Sequence, residues 1–164
     1  MDKKYILNKE EVNRKIRRLA YEIAERNFGE EEFFLAGIRE QGYYLAKLLV
    51  EELKGISSAR TQLIAISLDK RNPDEIKLDP AFDFNGKNIL LVDDVASSGK
   101  TMLYALKPFL HYHPKKIETL ALVERTHKEF PVQVDYVGLS VATTLEEHIF
   151  VEVVDGEIVG AYMS

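Results

Sequence analysis

The chain has 164 residues, 46% hydrophobic and 30% charged, and its 22 basic and 27 acidic side chains give a net charge of −5. That length suits one compact domain, residues 1–164, which buries roughly 70% of the surface its unfolded form would expose and needs no disulfide or structural zinc to fold. Zero cysteines exclude thiol chemistry, thiolate metal sites and a secreted disulfide framework, and a sequence pI near 5.5 sets a general nucleic-acid binder behind other readings. The opening Met1-Asp2-Lys3-Lys4-Tyr5 does not lead into a signal-peptide apolar core. No apolar run approaches the roughly 20 residues that span a bilayer. The expectation is a soluble cytoplasmic protein without a membrane partner, and the absence of cysteine agrees with it.

Helix-like and strand-like patterns alternate from end to end. There is no internal repeat, low-complexity tract or linker. Such alternation predicts an α/β domain with a central, mainly parallel sheet flanked by helices. The first helix opens at Asn8, with Glu11 completing a capping-box pattern. Val12, Ile16, Leu19, Ala20, Ile23 and Ala24 recur at helical spacing, and Gly29 lies beyond the end. Arg14, Lys15, Arg17 and Arg18 fall mostly off that face and read as a solvated surface. Phe33 to Ile38 reads as a buried strand, Arg39-Glu40-Gln41-Gly42 as a turn, and residues 43–54 as a helix through Leu45, Leu48, Leu49 and Leu53, stopped by Gly55.

Thr61 to Leu68 is a second strand. Residues 69–85, broken by Pro73 and Pro80, read as an irregular loop or short hairpin, and a loop of this length is more often functional than idle. Asn85-Gly86 makes a turn, Asn88 to Val92 a central strand, and Asp93 to Gly99 a loop. A helix starting near Lys100 carries Leu103, Leu106 and Leu110, with Pro108 expected to kink or end it. Ile117 to Val123 and Asp135 to Leu139 are further strands. His148 to Val154 and Glu157 to Tyr162 form a closing hairpin around Asp155-Gly156.

The chemistry concentrates in Ile89-Leu90-Leu91-Val92-Asp93-Asp94-Val95-Ala96-Ser97-Ser98-Gly99-Lys100-Thr101. An apolar strand runs into two carboxylates, then a hydroxyl-rich loop, then a helix. The loop offers backbone N–H groups at a helix start, which favour an anion such as phosphate. Ser97, Ser98 and Thr101 add hydroxyls, and Gly99 permits close approach. Asp93 and Asp94 would repel that phosphate. They suit sugar hydroxyls or a magnesium ion carried by a polyphosphate. A phosphate pocket beside a diol pocket, at the carboxyl end of a parallel strand, reads as a sugar-phosphate site. Two plainer readings compete. Gly99-Lys100-Thr101 looks like the end of a P-loop, but that motif needs Gly where Asp94 stands. The serines could also simply cap a helix while the aspartates make ordinary turns.

This stretch resembles the phosphoribosyl-pyrophosphate (PRPP) signature of type I phosphoribosyltransferases, an apolar strand, two acidic residues and a loop ending in Thr-Gly-x-Thr. Here the ending is Ser98-Gly99-Lys100-Thr101, which retains the first hydroxyl. The wider chain is most similar to the bacterial pyrimidine-operon attenuator proteins, which double as uracil phosphoribosyltransferases. The similarity runs through Ile6-Leu7 and the first helix, Ala36-Gly37-Ile38, Gly42, Tyr44-Leu45-Ala46-Lys47, Leu122-Val123-Glu124-Arg125, His127-Lys128-Glu129-Phe130-Pro131 and Asp135-Tyr136-Val137-Gly138.

The resemblance implies a type I phosphoribosyltransferase fold with a small hood. It implies that Asp93 and Asp94 hold the ribose hydroxyls of PRPP as the catalytic pair. Ala96, Ser97, Ser98, Gly99, Lys100 and Thr101 would cradle the 5′-phosphate. Arg39, Glu40, Gln41 and Gly42 would form the pyrophosphate loop, and Glu124, Arg125 and Thr126 would lie at the base side. Residues 69–85 would match a mobile closing loop in which Lys70 and Arg71 reach for phosphate. Magnesium would arrive with PRPP, with no metal ligated directly by the protein.

The pyrophosphate loop departs from the attenuator pattern of basic first and third positions. Arg39 keeps the first, Glu40 adds a negative charge and Gln41 replaces the second basic residue, which predicts weaker pyrophosphate binding or a stronger need for magnesium. The implied reaction exchanges the pyrophosphate of PRPP for a nitrogen nucleophile, a nucleobase with uracil among the candidates, without a side-chain nucleophile. His111 and His113 read as surface residues, His148 as structural, and His127 as either structural or base-side. Glu146-Glu147 reads as a solvated turn. A regulator that senses PRPP or a nucleotide and acts on RNA or protein is the alternative, and a relative sharing the fold but doing another job is the third. The charge disfavours RNA as a partner, and the family implies a homodimer.

Overall fold

The computed structural model describes residues 2–69, 71 and 75–164. Lys70 and Pro73, singled out in the 69–85 segment, lie outside the described residues. Nine strands and three α-helices are assigned among the described residues: β1 (Lys4–Asn8), α1 (Lys9–Arg26), β2 (Glu32–Ile38), α2 (Gln41–Lys54), β3 (Arg60–Ser67), β4 (Lys77–Asp79), β5 (Asn88–Ala96), α3 (Lys100–Ala105), β6 (Lys116–Arg125), β7 (Tyr136–Val141), β8 (Ile149–Val154) and β9 (Glu157–Met163). They form a six-stranded sheet in the order β4-β3-β2-β5-β6-β7 and a three-stranded hood in the order β1-β9-β8.

Every pairing from β3 to β7 across the large sheet is parallel, and β4 adds an antiparallel edge beside β3. The 69–85 segment thus contains the short hairpin strand that was one of its two readings. Parallel strands covered on both faces read as continuous apolar runs, and β2 and β5 do. Their side chains alternate between two cores. Phe33, Leu35, Leu90 and Val92 pack with α1, α2 and the hood. Phe34, Ala36, Ile38, Ile89 and Leu91 pack with Met102, Ala105, Phe109 and Phe84 on the opposite face.

Helix α1 starts as its sequence predicts. Asn8 Oδ1 accepts from the Glu11 N–H at 2.9 Å, and Glu11 Oε2 accepts from the Asn8 N–H at 2.8 Å. The hairpin from β8 to β9 turns through Asp155 and Gly156, both at positive φ (51° and 79°), the conformation that matches strand twist in a two-residue connection.

The main departures from expectation are two boundaries and one extra strand. Strand β5 continues through both aspartates to Ala96, because Asp93 and Val95 stay in register with Ala121 and Val123 of β6. Helix α3 stops at Ala105, before Pro108, which sits at the start of a 3₁₀ turn over Lys107–His111. That tighter turn shifts the phase, so Phe109 is buried and Leu110, expected on the apolar face, is 72% exposed. Strand β1 has no counterpart in the sequence-based elements.

Candidate functional site

The strand order reverses between β2 and β5, since β3 lies outside β2 and β6 outside β5. A crevice opens at such a switch point, beyond the carboxyl ends of the strands. A cleft of about 300 Å³ occupies it, lined by Gln41, the run Asp93 to Gly99, Thr101, Met102 and the hood residues Ile149, Phe150 and Val151.

Glycines let the two loops meet. A Cβ at Gly37 would lie 2.5 Å from the Tyr43 Cα, and one at Gly42 would lie 2.6 Å from the Val92 carbonyl oxygen and 3.0 Å from the Asp93 Cα. The start of α2 therefore presses directly on the end of β5. The Arg39–Glu40 peptide just before it is cis, and Arg39 N–H donates to the Ile66 carbonyl at 2.9 Å.

On the β5 side, Asp93 and Asp94 are buried at 2% and 6% exposure. Asp93 Oδ1 accepts from the Asp94 N–H at 2.9 Å. The following bend is fixed from behind, where the Ser98 carbonyl accepts from the Glu129 and Phe130 N–H groups at 3.0 and 3.1 Å. Ser98 Oγ accepts from the Lys100 N–H at 3.2 Å. Gly99 takes φ +88°, a conformation that would strain any residue with a side chain. The result is a short hydroxyl-bearing loop that lines the cleft beside two carboxylates.

The structure thus brings Asp93, Asp94, Ala96, Ser97, Ser98, Gly99 and Thr101 together with Gln41 on one cleft wall. Arg39 and Glu40 are exposed beside it, Gly42 is buried beneath it, and Lys100 is off the wall. Glu124, Arg125 and Thr126 lie one strand over, where Ala96 pairs with Glu124, and do not line this cleft. Several of their polar groups are bonded locally, although the Arg125 Nε is buried without a hydrogen-bond partner. Glu124 bonds Lys128 at 3.0 Å and the Ser140 hydroxyl at 2.9 Å, Arg125 donates to the Glu147 carbonyl, and Thr126 N–H donates to Val141. His127 is exposed.

Sequence reasoning did not assign the hood wall. Gln41 Nε2 donates to the Val151 carbonyl at 2.8 Å across 110 positions, and no local pattern announces such a contact. Among the described residues no group of three or more His, Asp or Glu side chains converges in a way that could hold a metal ion. A divalent cation here would have to take oxygens from its ligand as well as from Asp93 or Asp94. Also among the described residues, no helix is long and apolar enough to cross a membrane.

Comparison with known proteins gives a consistent result. The model of the phosphoribosyl transferase domain matches residues 3–155. The chain is 36% identical over 160 residues to the bifunctional protein PyrR of Streptococcus uberis, covering 94% of this chain and 92% of that one. It is 34% identical over 175 residues to the protein of the same name from a Roseiflexus strain, covering 99% and 96%. Among solved structures it resembles the hypoxanthine phosphoribosyltransferase of Trypanosoma cruzi, with a TM-score of 0.75, 18% identity and coverage of 85% and 82%. It also resembles a hypoxanthine-guanine phosphoribosyltransferase of Bacillus anthracis, with a TM-score of 0.74, 21% identity and coverage of 98% of both chains. These two structures speak to the fold alone.

Proposed function

The chain belongs to the phosphoribosyltransferase family, and from that premise we propose that it exchanges the pyrophosphate of PRPP for a nitrogen nucleophile, a nucleobase with uracil as the first candidate. The observation that carries this reading is the cleft wall itself, two buried carboxylates running directly into a hydroxyl-rich loop at the sheet's switch point. In this reading the loop from Ala96 to Thr101, Lys100 included, holds the 5′-phosphate through backbone N–H groups and hydroxyls. Asp93 and Asp94 accept from the ribose hydroxyls. Arg39 meets the pyrophosphate at the cleft mouth, and Glu40, Gln41 and Gly42 shape the turn that presents it. Glu124, Arg125 and Thr126 flank the base side.

Magnesium bound to PRPP would supply positive charge to the departing pyrophosphate. The C1–O bond of the ribose breaks with its electron pair leaving on pyrophosphate, the nucleobase nitrogen forms the C1–N bond, and the nitrogen's proton leaves to solvent or to pyrophosphate. No side-chain nucleophile takes part. The chain's work is to align the two reactants and to stabilise separated charge away from water. We take the partners to be PRPP and a nucleobase or nucleotide, with RNA disfavoured by the net charge. The setting we propose is the cytoplasm, and the family resemblance implies a homodimer.

A second reading is favoured by one observation. The Arg39–Gly42 turn offers a single cation beside an acidic Glu40, and Gln41 is bonded to the hood. A PRPP- or nucleotide-sensing regulator without catalysis would tolerate such a turn. Calorimetry of PRPP with and without Mg²⁺, followed by a nucleobase screen for pyrophosphate release, separates the two. Binding with release supports the enzyme, binding without release supports the regulator, no binding at millimolar PRPP ends the enzyme reading, and failure to bind uridine 5′-monophosphate as well ends the regulator.

A further inference from the structure

Strand β8 is the edge of the hood sheet, and its backbone faces the cleft. His148 and Ser164 exchange both backbone hydrogen bonds, at 2.9 and 3.0 Å. The register then runs unbroken from Ile149 opposite Met163 to Glu152 opposite Gly160. In an antiparallel ladder the residues between bonded pairs direct their N–H and C=O groups the other way. Ile149 and Val151 therefore turn these groups away from β9, towards the free edge, and both line the cleft. Gln41 reaches one of those groups, its Nε2 donating to the Val151 carbonyl at 2.8 Å. Gln41 opens α2, and its neighbour Gly42 is wedged against the Val92 carbonyl and the Asp93 Cα. A fixed platform thus adds one carboxamide hydrogen bond to the apolar packing that seats Ile149 and Val151 in the core.

We propose that Gln41 is a positioning residue, which sets the width of the cleft by anchoring the β8 edge and is not itself a ligand of pyrophosphate. The proposal rests on the phosphoribosyltransferase reading of the cleft. It divides the labour of one turn, with Arg39 meeting the anion and Gln41 deciding how closely the hood lies over the nucleoside. Losing the bond leaves a half-buried carbonyl short of its donor and loosens the free edge of a strand still packed and paired elsewhere, so the cost falls on ligands that touch both walls.

The test compares Gln41→Ala and Gln41→Glu with the natural protein. The second variant is nearly isosteric but cannot donate when ionised. Two probes are titrated calorimetrically in the presence of Mg²⁺, inorganic pyrophosphate and uridine 5′-monophosphate. The expected result is pyrophosphate affinity within about twofold of natural and nucleotide affinity about tenfold weaker, a difference of ~1.4 kcal/mol. Backbone amide exchange across 149–154 should accelerate in both variants. A clear fall in pyrophosphate affinity overturns the proposal, as does a nucleotide affinity that does not change. If the natural protein binds neither probe nor PRPP, the phosphoribosyltransferase reading fails instead. The exchange rates at β8 then decide the anchoring alone, with unchanged rates refuting it.

Discussion

Two neighbouring segments of this sheet have similar chemistry and opposite fates. The one at the carboxyl end of β5 and just beyond it carries two carboxylates and three hydroxyl side chains, and all five line an open cleft. The one at and just past the carboxyl end of β6 carries Glu124, Arg125 and Thr126, and it turns the same kinds of groups on its own surroundings. Glu124 bridges Lys128 and Ser140, while Arg125 holds the stretch before β8 through the Glu147 carbonyl. Polar residues at a strand's carboxyl end are thus poor evidence of a ligand by themselves. What distinguishes the first segment is that its turn is stabilised from behind, by the Glu129 and Phe130 N–H groups on the Ser98 carbonyl, which leaves its front available.

The largest effect that would break this comparison belongs to the first segment. Replacing both carboxylates, Asp93→Asn with Asp94→Asn, should weaken Mg²⁺-dependent PRPP binding by about 100-fold or more, since hydrogen bonds to charged groups contribute roughly 1.5–3 kcal/mol each. Calorimetry reads this directly, and retained affinity would remove the ligand role from the segment. Next comes Gly42→Ala, whose new Cβ would lie 2.6 Å from the Val92 carbonyl oxygen. Overpacking of this kind costs about 1–3 kcal/mol, so chemical denaturation should show that loss and PRPP binding should fall with it.

Arg125→Ala sharpens the contrast from the other side. Removing the guanidinium should destabilise the protein by roughly 1–2 kcal/mol, through the unpaired Glu147 carbonyl. Its effect on PRPP affinity should stay well below that of the aspartate pair, and the reverse ranking would assign the second segment a direct ligand role.

The smallest effect is expected at the far end of the same strands. Tyr136 is fully buried and donates to Glu118 at 2.9 Å, and burial first, then Glu118, pushes its phenol well above its ordinary value. The folded state therefore holds this proton more tightly than the unfolded state. Its stabilisation is complete below the unfolded value of about 10 and declines as pH rises beyond it. Tyr136→Phe should flatten the loss of stability above that pH, as measured by denaturant titration at several pH values, while leaving the cleft untouched.

Much of the framework was readable because local chemistry and tertiary packing agree there. The Asn8–Glu11 box and the apolar runs of β2 and β5 say locally what the fold requires. The misreadings fall where tertiary contacts override local preference. Aspartate is depleted in strands, so the pattern ends β5 at Val92, yet pairing with β6 carries it to Ala96. The leucine spacing beyond Lys100 loses its meaning once the backbone tightens at Lys107. In the cleft, the aspartates and the serine loop were legible because they are contiguous. The anchor between Gln41 and Val151 was not, because it joins residues far apart in the chain and uses a backbone group that carries no residue identity.

The same separation governs how the cleft comes into being. Strand β9 lies between β1 and β8, pairing Lys4 with Met163 on one flank and Val151 with Ala161 on the other. Until β9 is in place, neither flank has a partner. During synthesis the parallel sheet and the serine loop can therefore form while Lys4–Asn8 waits, unpaired, for a segment some 150 residues downstream. Contacts of such sequence separation are slow to form. The roof over the candidate site thus cannot close before β9 has been made, so a ligand-competent cleft needs both flanks of the hood and not the parallel sheet alone.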